Sequence, residues 1–250
     1  MSVRTETELL REIERLQAEL ARREQEAADK ELQLERYAAD LRETFKQERA
    51  RSQELRRSYM ATVRALSNAV EARDAYTGKH AERVTAYVME IAQALDLQLG
   101  DAPGIEFGFL LHDIGKLAIP DAILYKPSAL SDKERALMAQ YPVIGAEIVA
   151  GIVFLTAAAE VVRSHHERWD GHGYPEGLAR EQIPLAARVF AVADVLDALT
   201  TDRPYRPESP LRVARETIGG ESGEQFDPRV VEAFESIPDR TLERIAAEIR

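Results

Sequence analysis

Apolar residues recur at alternating spacings of three and four residues along the first part of the chain. The row starts at Leu9 and Ile13 and stays in register to Leu41, with mostly Glu, Arg, Lys and Gln between its members. No Gly precedes Gly78 and no Pro precedes Pro103, so nothing interrupts a helix here. This spacing is that of a coiled-coil seam. The alternative, a single solvated helix, would have no core of its own, so we predict that residues 1–66 form a coiled coil, in a parallel homodimer.

Beyond Leu66 the apolar positions recur with a period of about 3.6 residues, which indicates a succession of helices. Ser131 followed by Glu134 has the spacing of a helix-capping box. No alternating strand pattern, Rossmann glycine motif or P-loop is present. Residues 67–250 are therefore predicted to be one all-α domain, with long loops near 120–131 and 171–184. The predicted helical segments are 85–97, 104–115, 131–141, 183–200, 209–218 and 228–237.

Composition and charge exclude several classes of protein. The net charge of −11 disfavours a nucleic-acid polymer as a partner. The absence of cysteine excludes disulfides and thiolate ligands and suits a reducing cytoplasm. The charged start of the chain has no apolar core of the kind a signal peptide needs, and the longest apolar run, residues 148–159, falls short of the roughly 20 residues of a membrane span. We therefore expect a cytoplasmic protein without a membrane span.

Two acidic patterns lie in otherwise apolar helical segments. In LLHDIGK, His112 and Asp113 come at the end of an apolar helical run and are followed by a Gly and Lys116. A carboxylate in such a place needs a cationic partner. A simple ion pair between Asp113 and Lys116 would satisfy that need. Asp194 and Asp197 are spaced to share one face of a helix, where two like charges favour a metal or a cationic group between them.

Histidine placement favours metal binding over a structural role. Only five histidines are present, and His80, His112, His165 and His166 lie near acidic residues in or beside apolar helical segments. Imidazole and carboxylate ligands without sulfur suit iron, manganese, zinc or a similar divalent metal. The fifth, His172, lies between two glycines in the segment HHERWDGHGYP.

Several motifs in a fixed order resemble the HD-GYP domain of the HD phosphohydrolase superfamily. They are EARDAYTGKHAERV, HDIGK, HHERWDGHGYP, IPLAARVFAVADVLDALT, DRPYR and FDPRVV, spread over residues 68–237. A bare His-Asp pair would be weak evidence, but this ordered set is specific. The resemblance implies an all-helical bundle that hydrolyses the bacterial second messenger cyclic di-GMP to pGpG or GMP at a centre of two or three metal ions.

The resemblance also implies a ligand set, in which Asp113 bridges two metals. Tyr76 stands where trinuclear members place a glutamate, which favours two divalent metals here, with Fe or Mn expected. Tyr141 departs further, because the family usually has a metal-binding histidine at that position. We expect the phenol either to leave a coordination position to water or to pack aside beside Pro142. The implied metal ligands are His80, His112, Asp113, His165, His166 and Asp194.

The same resemblance assigns residues to catalysis and to the nucleotide. Lys116 matches a lysine beside the scissile phosphate, and with Asp113 it is the predicted catalytic pair. Tyr174, Arg203 and Arg206 match positions that contact the guanine nucleotide or its phosphates. Arg206 replaces the more usual lysine, which keeps the charge but changes its geometry.

Three functions stay open at this point. The first is an active phosphodiesterase of cyclic di-GMP or a related cyclic dinucleotide. The second is a degenerate receptor or scaffold that binds metal or nucleotide and signals through its coiled coil, which Tyr141 favours. The third, a hydrolase of ordinary nucleotides, is disfavoured by the GYP and RPYR segments.

Overall fold

A computed structural model describes residues 6–73, 79–97, 104–202 and 207–249 of the 250-residue chain. Within these ranges the chain is helical, without a strand, and a single isolated bridge joins Ser222 and Phe226. The predicted all-α class is therefore confirmed. Among the described helices, none has the length and apolar character that a membrane span requires. The helices are α1 Glu6–Glu71, α2 His80–Ala94, α3 Ile105–Leu110, α4 Asp121–Leu124, α5 Asp132–Met138, α6 Tyr141–Ala150, α7 Ala158–Ser164, α8 Leu185–Thr200, α9 Leu211–Gly220, α10 Pro228–Ser236 and α11 Asp239–Glu248.

The chain divides into two compact units, Met1–Tyr59 and Met60–Arg250, and the boundary falls inside α1. In the first unit the apolar row that begins at Leu9 and Ile13 is about half exposed, at 48% and 50%. The last turns of α1 belong to the second unit and bury Val63, Ser67 and Val70.

The core of the second unit forms between α2, α8, α9 and α10. Tyr87, Ile91, Phe190, Leu196 and Phe234 are among its fully buried side chains. Since the apolar stripe of α2 and the almost wholly apolar α8 pack against each other, any polar group on their shared side is held away from water. This packing positions His80, at the start of α2, beside the aspartates of α8.

Several element boundaries differ from the prediction. The segment 104–115 does not form one helix, because α3 ends at Leu110 and a 3-10 helix follows from Ile114 to Ala118. His112 and Asp113 lie in the turn between them. The segment 131–141 likewise splits into α5 and α6, although the predicted capping box of Ser131 and Glu134 is present. Helices α4, α7 and α11 were not predicted.

Gly115 allows α6 to lie close to this turn. A Cβ atom at position 115 would meet the carbonyl oxygen of Tyr141 at 1.8 Å, which no side chain could tolerate. The close approach brings the start of α6, and with it Tyr141, next to the segment that carries His112 and Lys116.

Candidate metal centre

His80 is buried at the start of α2 and is held between two carboxylates of α8. Its Nδ1 lies 2.7 Å from Oδ2 of Asp197, and its Nε2 lies 3.3 Å from Oδ1 of Asp194. Asp197 is fully buried and also accepts a hydrogen bond of 2.6 Å from Nε of Arg83. A carboxylate behind a histidine ring commonly orients that ring toward a metal. Asp197 therefore supports His80 from behind, while Asp194 faces the other ring nitrogen.

The turn after α3 contributes a second histidine and a second carboxylate. His112 Nδ1 donates a hydrogen bond of 2.9 Å to the carbonyl oxygen of Phe109, so the lone pair of the neutral ring lies on Nε2. That Nε2 lies 3.2 Å from Oδ2 of Asp113, and Nζ of Lys116 donates to the same oxygen at 2.8 Å. The ion pair between Asp113 and Lys116, the structural alternative, is thus present together with a histidine that faces the same carboxylate.

Ligand atoms from three separate segments converge here. One nitrogen from each of His80 and His112 and one oxygen of Asp194 all lie within 4.8 Å of one another. In both histidines a neutral Nε2 would present its lone pair to a carboxylate oxygen, which is unfavourable unless a proton or a cation lies between them. Nitrogen and oxygen ligands without sulfur fit a divalent metal of the iron or manganese kind. The residues present therefore fit a metal centre.

The pKa values of His80, Asp113 and Asp194 are all shifted, because these buried groups lie beside groups of opposite charge. Burial by itself lowers the pKa of His80, but hydrogen bonds and charge from Asp194 and Asp197 raise it to about 10. Burial also opposes ionisation of Asp113, yet His112 and Lys116 hold the pKa of that carboxyl well below its usual range. Burial acts against Asp194 too, and His80 brings the pKa of that carboxyl down to about 2. In the metal-free protein a proton on His80 compensates charge that a metal ion would otherwise neutralise.

Tyr141 lies directly against the two adjacent histidines, His165 and His166. The phenol oxygen is 2.9 Å from Nε2 of His165 and 2.5 Å from Nε2 of His166. Nδ1 of His165 donates a hydrogen bond of 2.8 Å to the carbonyl oxygen of Val162, which places the lone pair of that ring on Nε2. Burial and the neighbouring His166 and His112 hold the pKa of His165 well below its usual value, and burial raises that of Tyr141 well above its usual value. The ring of Tyr141 therefore points into the site, and the expectation that it packs aside is wrong.

The loop after the paired histidines is tied down by Glu167. This buried carboxylate accepts backbone hydrogen bonds from Glu176 at 2.8 Å and Leu178 at 3.0 Å, so it shapes the loop. Tyr174 stacks on His166, with ring centroids 4.8 Å apart and planes 29° from parallel. The nearby His172 is exposed and lies toward Asp170.

Two cavities border the candidate metal centre and share lining residues. One, of about 180 Å³, is lined by His80, His112 and Asp194. Ser67 and Glu71, in the last turns of α1, also line it. The other, of about 310 Å³, lies along the Tyr174 loop and is lined by His172 and Tyr174. His166 and Asp194 border both cavities, so a ligand in the second cavity would lie next to the centre.

The structure brings most of the predicted site residues together. The six predicted metal ligands, Lys116 and Tyr174 all line one or both cavities. Arg203, Arg206 and Tyr76 lie outside the described residues. The structure adds Asp197 and Arg83 to the site, which the motifs do not assign to it. The spacing of Asp194 and Asp197 in the sequence predicts a shared helix face, but it does not show which ring nitrogen each carboxylate faces.

Histidines and aspartates from helices and turns of one all-α domain thus surround two adjoining cavities, which is the arrangement of a helical domain with a candidate metal site. Residues 64–230 match the family described as HD domain, and the chain belongs to that family. The resemblance to the HD-GYP branch stated from the motifs is confirmed by similar proteins of known activity.

Two curated relatives and one solved structure illustrate the similarity. The cyclic di-GMP phosphodiesterase response regulator RpfG of Xanthomonas campestris is 41% identical over 175 residues, which cover 69% of this chain and 46% of that protein. The 3'3'-cGAMP-specific phosphodiesterase 2 of Vibrio cholerae is 39% identical over 181 residues, which cover 72% of this chain and 35% of that protein. The chain thus spans less than half the length of either. The crystal structure of the cyclic GMP-AMP specific phosphodiesterase V-cGAP3 of V. cholerae, at 24% identity, shares the fold with a TM-score of 0.58, over 74% of this chain and 50% of that one.

Proposed function

We propose that this chain is a metal-dependent phosphodiesterase that hydrolyses cyclic di-GMP, or a related cyclic dinucleotide, to pGpG or GMP. The observation that carries the proposal is the group of His80, His112 and Asp194 converging beside the Asp113–Lys116 pair in one cavity. The names of the relatives, which specify cyclic di-GMP or 3'3'-cGAMP, support this class of substrate.

We propose two divalent metal ions, iron or manganese, as cofactors. His80, His112, Asp113 and Asp194 would hold the first, and His165 and His166 would hold the second with Asp113 shared between them. When bound, ions of this kind lower the pKa of a coordinated water and stabilise negative charge on phosphate oxygens. The low pKa of Asp113 keeps its carboxylate ionised at neutral pH, as a ligand must be.

Lys116 and Asp113 are the proposed catalytic residues. Because Nζ of Lys116 is bound to Oδ2 of Asp113 at 2.8 Å, the ammonium group is fixed at the edge of the cavity. There it can offset charge that develops on a phosphate oxygen or on the leaving oxygen. Asp197 is a proposed positioning residue, since it orients the His80 ring through a hydrogen bond from Nδ1.

The substrate would lie along the Tyr174 loop. Tyr174 lines the larger cavity and already stacks on a flat ring, that of His166. An aromatic side chain in such a position can stack on a guanine base. Arg203 and Arg206, outside the described residues, are proposed to bind the phosphate that is not being cleaved.

One observation favours a second function, a receptor with little or no turnover. The phenol of Tyr141 occupies hydrogen-bonding positions on both His165 and His166, which the active-enzyme account assigns to a metal. The presence of His80, His112 and Asp194 in one converging group favours the active enzyme.

We also propose that residues 1–66 form a parallel coiled coil with a second copy of the chain, and that residues 67–250 form the catalytic domain. The seam residues Leu16 and Leu20 are 52% and 57% exposed in the single chain, as unpaired seam positions would be. A cytoplasmic location stays a prediction from composition.

The test of function is hydrolysis of cyclic di-GMP by the manganese-loaded chain, followed by chromatography of the products. We expect pGpG or GMP from the wild type and none from Asp113→Ala. Asp132→Ala, which changes an exposed aspartate at the start of α5, is the matched control and should retain activity. Equal turnover by Asp113→Ala and the control would refute the proposal.

A further inference from the structure

The hydrogen bonds around Tyr141 run in one direction. Nδ1 of His165 is a donor to the Val162 carbonyl, so its Nε2 is an acceptor and the phenol O–H is the donor that faces it across 2.9 Å, with the Asp113 carboxylate as a further acceptor near the same hydroxyl. Having used its only hydrogen, the phenol oxygen can only accept from Nε2–H of His166 at 2.5 Å. The chain His166 to Tyr141 to His165 therefore satisfies all three groups without a cation.

The spacing fits hydrogen bonds better than shared metal coordination. Two ligand atoms about 2.1 Å from one ion are separated by about 3.0 Å at the right angle of octahedral geometry and by about 3.4 Å in tetrahedral geometry. The phenol oxygen is closer than either value to Nε2 of His165, at 2.9 Å, and to Nε2 of His166, at 2.5 Å. The first distance is that of an ordinary hydrogen bond and the second is shorter than one, so both contacts are direct.

The half of the site formed by His80 and His112 therefore differs from the half formed by His165 and His166 in its need for a cation. At His80 and His112 each Nε2 faces a carboxylate oxygen, at 3.3 and 3.2 Å, so these contacts require a proton or a cation between the two atoms. At His165 and His166 the nitrogens face a neutral hydroxyl that already satisfies them. The ammonium group of Lys116, 5.5 Å from the centre of the Tyr141 ring, adds a positive charge near this half.

We propose that Tyr141 competes with the second metal ion for the ring nitrogens of His165 and His166, so that the second ion binds only conditionally. This inference rests on the proposed metal-dependent function. For a metal to bind both Nε2 atoms, the phenol must turn away and His166 must move its proton to Nδ1. The first ion needs neither change, and it takes the place of the proton that Nε2 of His80 otherwise carries between the ring and Asp194. The chain therefore binds one ion tightly and a second ion much more weakly.

The test is titration of the metal-free 250-residue chain with Mn²⁺ alone, without nucleotide. We expect the wild type to bind one ion tightly and a second at least about tenfold more weakly, as loss of one or two hydrogen bonds implies. Tyr141→Phe removes the competing hydroxyl and should tighten the second ion by about tenfold. Tyr141→His, which supplies an imidazole, should tighten it further. Tyr37→Phe, which changes an exposed tyrosine of the first unit, should have no effect.

The direction in which Tyr141→Phe changes the affinity for the second ion shows whether the phenol competes with that ion or binds it. Weaker binding of the second ion by Tyr141→Phe would show that the phenol is a ligand, and two equally tight ions in the wild type would show that it does not compete; either result overturns the proposal. The first ion's affinity, measured in the same titration, reports whether the variant is folded. If that affinity is lost, nitrogen NMR of the five histidines in the metal-free wild type replaces the variant. The proposal requires Nδ1–H on His165 and Nε2–H on His166, and any other pair of tautomers refutes it. Because no step measures hydrolysis, failure here is distinct from failure of the proposed function.

Discussion

At the scale of single residues, the site depends on which ring nitrogen of each histidine faces a metal. Asp197 fixes this for His80, because it accepts from Nδ1 at 2.7 Å and leaves Nε2 toward Asp194. Asp197→Asn keeps the size but removes the charge, so we expect the affinity for the first metal to fall by roughly 10- to 100-fold. Titration with Mn²⁺ measures it.

Asp227→Asn is the matched control for that substitution. Asp227 is also buried and also paired with an arginine, since Arg188 donates to it at 2.6 Å. Both variants should lower the free energy of unfolding, because each removes the charge of a buried carboxylate that is paired with an arginine. Only Asp197→Asn should weaken the metal. An equal loss of metal affinity in both would reduce Asp197 to a purely structural role.

The raised pKa of His80 predicts how metal binding depends on pH. The metal-free ring keeps its proton up to a pKa of about 10, and a metal at Nε2 must displace that proton. Apparent Mn²⁺ affinity should therefore rise by about tenfold per pH unit between pH 6 and 8. Affinity that is flat over this range would mean that no proton leaves His80.

The stability of the metal-free protein should change with pH in the opposite sense. A folded pKa raised from 6.5 to about 10 stabilises the fold fully below pH 6.5, and this contribution is lost as the pH rises through 10. Denaturant unfolding of the metal-free chain between these limits measures the loss.

At the scale of elements, the turn that follows α1 is hydrogen-bonded to the segment that carries Lys116. The guanidinium of Arg73 donates to the carbonyl oxygens of Leu117 at 2.7 Å and Ile119 at 3.0 Å. Arg73→Ala should loosen this segment, so we expect faster hydrogen exchange of its amides and a several-fold lower turnover with little change in substrate affinity. Arg73→Lys should restore part of the turnover. Arg64→Ala, at an exposed position of α1, is the control. Unchanged exchange in Arg73→Ala would show that the contacts do not hold the segment.

The helices themselves were largely predictable, because their apolar spacing and the capping box of Ser131 are local properties. The break after Leu110 was not, because it depends on a close approach between Gly115 and the Tyr141 carbonyl that only the folded chain creates. The histidine and carboxylate ligand types could likewise be predicted from the sequence. The geometry of the site could not, because it depends on contacts between residues far apart in the chain. Examples are the contact of Tyr141 with both histidines and the hydrogen bond from His80 to Asp197.

At the scale of the whole molecule, the proposed dimer depends on the exposed apolar row of α1. Deleting residues 1–56 removes that row, so a dimer should become a weaker dimer or a monomer, as light scattering would show. In the full chain, Ile13→Lys combined with Leu20→Lys should act in the same direction, because both positions belong to the seam. Glu14→Ala, off the seam, should leave the dimer intact. A deleted chain that stays a tight dimer would place the contact in the second unit.

The most direct test of the central claim is hydrolysis of cyclic di-GMP by the metal-loaded chain in water enriched in heavy oxygen, with the products analysed by mass spectrometry. Activation of water at the metal centre predicts a linear product that carries one heavy oxygen on its terminal phosphate for each bond cleaved. The label should be absent when the metal is removed by a chelator. Cyclic di-GMP recovered intact from a chain shown to hold its metal would contradict the account.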